Sequence, residues 1–194
     1  TTGDGIYAYV LLGTDLTITA ASVTGGSTGI NAVSYGDGEV DITATGAVIG
    51  TRADGINAYG LGTDLTISAA AVSGGDEGIQ ARNLGTGALS ITASDDVTGT
   101  GGDGIYAYGK GTSLTISAAS VSGKYHGILA KNEGSGPLSI TVSGDVSATA
   151  ADGYGIASVS FSGDAVAINV LSTASVNATF AIVDTSGDAV VTIS

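Results

Sequence analysis

Asp103-Gly104-Ile105-Tyr106-Ala107-Tyr108-Gly109-Lys110-Gly111-Thr112-Ser113-Leu114-Thr115-Ile116-Ser117-Ala118-Ala119-Ser120-Val121-Ser122-Gly123 is one period of a pattern that runs along the chain. Its opening motif, x-Gly-Ile, recurs as Asp4-Gly5-Ile6, Thr28-Gly29-Ile30, Asp54-Gly55-Ile56, Glu77-Gly78-Ile79 and His126-Gly127-Ile128. Degenerate copies are read at Gly155-Ile156 and Ala181-Ile182, giving Ile spacings of 24, 26, 23, 26, 23, 28 and 26 residues. A period of this size is the signature of a stacked repeat architecture.

Two further landmarks keep the same beat. An apolar-x-Ile pair stands at Leu16/Ile18, Val40/Ile42, Leu65/Ile67, Leu89/Ile91, Leu114/Ile116, Leu138/Ile140, Val166/Ile168 and Val191/Ile193. A single Val follows at Val23, Val48, Val72, Val97, Val121, Val146 and Val176. Three landmarks per period mean three short strands per coil. In Leu16-Thr17-Ile18-Thr19 the alternation of a strand sends Leu and Ile one way and both Thr the other. One coil cannot bury its apolar face alone, but coils stacked about 4.8 Å apart close a continuous interior. The expected fold is therefore all-β: a right-handed single-stranded parallel β-helix of about eight coils of about 24 residues, a rod about 38 Å long.

Finer features refine this expectation. Ala8, Ala32, Ala58, Ala81, Ala107 and Ala130 form a small-residue column that marks a narrow part of the interior. Coils one, three and five resemble one another, as do two, four and six, so the duplicated unit is about 49 residues. Residues 1–194 are read as a single segment of a longer chain, with regular two-coil repeats over 1–150 and divergent coils over 151–194. Longer loops are expected near Gly153 and Ser172–Ala178. Both ends read as cut, since Val191-Thr192-Ile193-Ser194 stops inside a strand and Thr1-Thr2-Gly3 offers no cap. Glycines and Asp-Gly pairs are assigned to turns, where Gly supplies positive φ and Asp bonds its own backbone.

Composition narrows the function. The chain has 33 Gly, one Pro and no Cys, Met or Trp, with 18 acidic against 5 basic residues and a net charge of −13. Such a field repels nucleic acid and anionic membrane surfaces. No apolar run approaches the length of a membrane helix, so direct membrane insertion is not expected of this segment.

The stretch Asp103-Gly104-Ile105-Tyr106-Ala107, followed by Gly111–Ala118 and Val121-Ser122-Gly123, resembles the passenger repeats of bacterial autotransporters. It is similar, more loosely, to haemagglutinin-like exoproteins. The resemblance covers residues 3–150 well and 151–194 weakly. It implies a secreted or cell-surface β-helix of Gram-negative origin, often an adhesin stalk, exported through a C-terminal barrel.

Candidate chemistry is sparse, and no catalytic, cofactor-binding or metal-ligating residue is assigned. Asp4, Asp54, Asp103 and Asp152 recur every second coil, about 9.6 Å apart. They suit general acid–base work on a glycoside, but turn aspartates copied with the repeat explain them more simply. Asp95-Asp96 and Gly102-Asp103 lack the oxygen-rich cage that calcium requires. Outward columns Thr17, Asp41, Thr66, Ser90, Thr115, Ser139 and Thr19, Thr43, Ser68, Thr92, Ser117, Thr141 resemble an ice-binding array, interrupted by Asp41 and Asn169. A further column, Tyr9, Val33, Tyr59, Arg82, Tyr108, Lys131, is expected to form a cation–π ladder, with Tyr7 and Tyr106 beside it. Exposed tyrosines at this spacing suit a sugar- or protein-binding strip, although mutual stabilisation across coils is the simpler reading.

The expected function is that of a non-catalytic extracellular structural or adhesive passenger segment. Its expected partners are a host or environmental glycan or protein surface, or a second copy meeting it end-to-end or side-by-side. A carbohydrate-active enzyme or glycan-binding module is the alternative, and an ice-binding solenoid a minor one.

Overall fold

The computed structural model describes the backbone of residues 2–161, 165–171, 175–177, 179–184 and 189–193. Side chains are described within these segments up to Val176, and again at Val190, Val191 and Thr192. The first turn sets the plan: strands Ile6–Val10, Leu16–Ala20 and Val23–Gly25, each followed by a corner. Every later turn lays its strands parallel on these, building sheets of eight, eight and seven strands. The result is a parallel β-solenoid of seven complete turns, followed by two strands of an eighth.

Register is what the repeat encodes. In the first sheet Ile30 pairs with Ile56, and Ala32 with Ala58; in the second, Leu65 pairs with Leu89, and Ile67 with Ile91; in the third, Val48 pairs with Val72. Alternate residues point inward, so Ile30, Ile56, Ile79, Ile105 and Ile128 are fully buried while their polar neighbours are not. Each such side chain contributes about 1.5–3 kcal/mol from burial. Inward positions of the first sheet run Ile, Ala and then Ser, Gly or Asn. The corners are hydrogen-bonded from turn to turn as well: Gly29 N–H donates to Asp54 O at 3.0 Å, and Gly78 N–H to Asp103 O at 3.0 Å.

The glycines serve a different purpose from the one expected. Among the described residues Gly13 is the one glycine with positive φ. What most of the others supply is room. A Cβ on Gly50 would lie 1.9 Å from Asp54 O, and one on Gly74 would lie 1.7 Å from Glu77 O. The chain turns so tightly between the third and first sheets that a side chain would strike the backbone.

The eighth turn shifts away from the sequence pattern. Ile182 pairs with Ser158, in the Ala column, because the register slips between Tyr154 and Ala157. Ala189 and Val191, not Val191 and Ile193, continue the Val166/Ile168 pair; Ile193 falls opposite Val170. The shift in the first sheet comes from an irregularity in the strand Tyr154–Ser160; Val166, Ile168 and Val176, which follow that strand, still stand opposite Leu138, Ile140 and Val146. The longer connection expected at Ser172–Ala178 lies largely outside the described residues, as do Thr1 and Ser194.

Candidate functional site

The corner that opens each turn carries the recurrent aspartates. Asp4 accepts the Thr28 N–H at 3.1 Å and the Asn31 amide at 3.0 Å; Asp54 accepts the Glu77 N–H at 3.3 Å. Asp103 accepts the His126 N–H at 3.0 Å and lies 2.8 Å from its Nδ1. Each therefore clamps the backbone one turn further on, rather than bonding its own. The fourth member is not Asp152. Tyr154 pairs with His126 and occupies that place, while Asp152 sits on an exposed turn two residues earlier. The 28-residue spacing before Ile156, longer than the others, is the signal that this turn is different.

Between Asp54 and Asp103 the same corner carries Glu77. Asp54, Asp76 and Glu77 each bring a carboxylate oxygen within 4.8 Å of the others. This is the grouping among the described residues that comes nearest to a cation cage, and it does not involve Asp95-Asp96. Burial, a hydrogen bond with Asp54 and the charges of Asp54 and Asp76 push Glu77 up to about 8. Burial raises Asp54 too, whereas the hydrogen bond from Asn31 lowers Asp4. Such crowding favours a carboxyl that keeps its proton at neutral pH, so the cluster behaves as a proton-sharing pair. Asp76 immediately before Glu77, in the row of x-Gly-Ile motifs, was the available sequence signal.

The outward face of the first sheet holds the aromatic and basic side chains. The column Tyr9, Val33, Tyr59, Arg82, Tyr108, Lys131 is in register throughout. Its contacts are not those expected. Arg82 and Lys131 both lie over the ring of Tyr106, at 5.3 and 5.9 Å from its centroid, instead of over the column tyrosines. Long side chains lean along the strand, so each reaches the diagonal neighbour two residues away. Tyr108 hydrogen-bonds Glu133, which also pairs with Lys110 at 3.6 Å, and Lys110 lies 5.6 Å over the Tyr108 ring. Nearer the N-terminus Tyr9 packs against Tyr7 and Tyr35, with centroids 6.5 and 5.7 Å away, and Tyr35 reaches Tyr59 at 5.5 Å. Tyr35 comes from a turn, which hid it from a reading of strand columns.

The hydroxyl columns of the second sheet are also in register, from Thr17 and Thr19 to Ser139 and Thr141. They form two outward rows, interrupted by Asp41 and continued by Ala167 and Asn169.

Two buried asparagines escaped the sequence reading. Asn83 donates to Thr63 O at 2.9 Å and Ala88 O at 3.0 Å, and accepts the Gly85 N–H at 3.1 Å. Asn132 repeats the motif two turns later, donating to Gly136 O and accepting from Gly134 N–H. Both staple the corner between the first and second sheets. No protein-family model, no curated protein and no solved structure matches this chain.

Proposed function

We propose that this chain is a non-catalytic extracellular rod, a structural and adhesive passenger segment of the bacterial autotransporter type. The reading is supported by the parallel register of three sheets over seven turns, with Ile on Ile and Val on Val along the core. A solenoid in which each turn rests on its neighbours is a quasi-one-dimensional object whose length scales with turn number. That geometry suits holding something away from a surface. The aspartates spaced like catalytic acids are engaged with the backbone of the next turn, a structural task.

Antibody against the chain is expected to label intact cells that produce it; labelling only after permeabilisation would overturn the surface assignment. Incubation with acidic and neutral polysaccharides is expected to release no new reducing or unsaturated ends. Their release by the purified chain would replace the rod with an enzyme.

A further inference from the structure

The basic residues of this acidic chain are not scattered. Of Arg52, Arg82, Lys110, Lys124 and Lys131, four lie over tyrosine rings: Arg82 and Lys131 on Tyr106, Lys110 on Tyr108 and Lys124 on Tyr125. With 18 carboxylates available, salt bridging would be the ordinary fate of so few cations. Among the described residues, however, the ion pairs are Lys110–Glu133 and His126–Asp103. Among the described residues Arg82 and Lys131 thus have no carboxylate within ion-pair distance, although the charge of Arg82 reaches Asp54, and each is held in place by a ring.

Their placement is specific. Arg82, Tyr108 and Lys131 are successive members of one outward row, on three adjacent strands. The backbones of the two cations are therefore about 9.6 Å apart along the rod, and both charged groups lean onto Tyr106 between them, at 5.3 and 5.9 Å from its ring centroid and so no more than about 11 Å from each other. We propose that this row binds a linear acidic polysaccharide, carboxylated or sulfated, running along the solenoid axis. One anionic group meets Arg82, the C–H face of the sugars rests against the tyrosines, and the anion one disaccharide later meets Lys131. Arginine grips carboxylate or sulfate through two parallel N–H donors. Cations already held on a ring lose less freedom when the ligand arrives.

Charge density selects this polyanion over nucleic acid. Duplex DNA presents a negative charge about every 1.7 Å, whereas the row offers two cations carried by strands about 9.6 Å apart. The surplus phosphates would face a chain of net charge −13. A sugar polymer with one charge per disaccharide matches the cations and leaves little surplus to be repelled. The site stands independently of where the rod is displayed.

The test is calorimetric titration of the whole chain with four probes of similar length: an oligosaccharide with one carboxylate per disaccharide, one with one sulfate per disaccharide, a neutral glucan oligosaccharide and duplex DNA. Binding of the carboxylated probe, the sulfated probe or both is expected, weakened by salt, and their relative affinity assigns carboxylate or sulfate. Arg82→Gln with Lys131→Gln is expected to weaken it by roughly tenfold or more, equivalent to about 1.4 kcal/mol. Tyr106→Phe should retain affinity and Tyr106→Ala lose it, while Arg52→Gln leaves it unchanged. Circular dichroism on each variant separates loss of the site from loss of the fold. Equal binding of the neutral probe or DNA, full affinity in the double Gln variant, or no binding of either acidic sugar would overturn the proposal.

Discussion

The Glu77 N–H donates to the carboxylate of Asp54, one turn earlier, at 3.3 Å, and the two acids share their corner with Asp76. Crowding and burial push Glu77 from its ordinary 4.5 to about 8. In that interval the folded chain holds a proton that the unfolded chain has released, so stability falls as pH rises through it. Burial of Asp54 acts in the same direction. Glu77→Gln is expected to flatten the decline and to stabilise the protein at the alkaline end. Urea midpoints of both proteins from about pH 4 to 9 check this, and parallel curves would count against it. Asp4 has the opposite sign: its lowered pKa gives stability above the usual 3.8 that is lost as pH falls through the folded value.

The glycine columns predict two opposite outcomes for one substitution. Gly74→Ala would place a Cβ 1.7 Å from Glu77 O, while at Gly109 the nearest atom is 3.5 Å away. Gly74→Ala is therefore expected to destabilise strongly. Gly109→Ala should be neutral or stabilising by up to about 1 kcal/mol, through loss of freedom in the unfolded chain. Thermal unfolding of the pair measures the difference, and equal shifts would refute the close-approach explanation.

Asn83 satisfies two carbonyls and one N–H in a corner where the side chain is 1 % exposed. Removing it leaves Thr63 O and the Gly85 N–H without that partner, at about 1–3 kcal/mol, while Ala88 O keeps the Leu65 N–H. Asn83→Ala should show that loss in chemical denaturation, while Asn57→Ala, on the half-buried outward face, should cost less.

Ser158 makes the reverse case. It occupies the Ala column, opposite Ala130, and its hydroxyl is buried without a hydrogen-bond partner among the described residues. Ser158→Ala is expected to raise stability by about 1 kcal/mol, measured the same way.

Where the repeat is strict, inward residues announced themselves. Ile30 on Ile56 and Val48 on Val72 follow from spacing, because a strand's two-residue alternation leaves each large apolar side chain one place to go. Ile182 and Val191 were misaligned since the pairing departs from the repeat only where the eighth turn meets the seventh, and a diverged sequence offers no landmark to correct the count. Asp152 was misplaced for a related reason: a lengthened turn carried it out of the corner row. The site on Tyr106 was half legible. Register put Arg82, Tyr108 and Lys131 in one row, but register specifies backbones, and long cations choose among several rings within reach. Asn83 and Asn132 went unnoticed in the sequence, since only the closed corner reveals what they satisfy.

Distances between paired spin labels test the stack most directly, and a chain without cysteine accepts them cleanly. With one label at Thr19 and the other at Ser117 or Thr141, the backbones lie four and five turns apart in one column. Separations near 19 and 24 Å are expected, a step of about 4.8 Å for the added turn. Broad distributions, or a step unrelated to turn number, would contradict the solenoid.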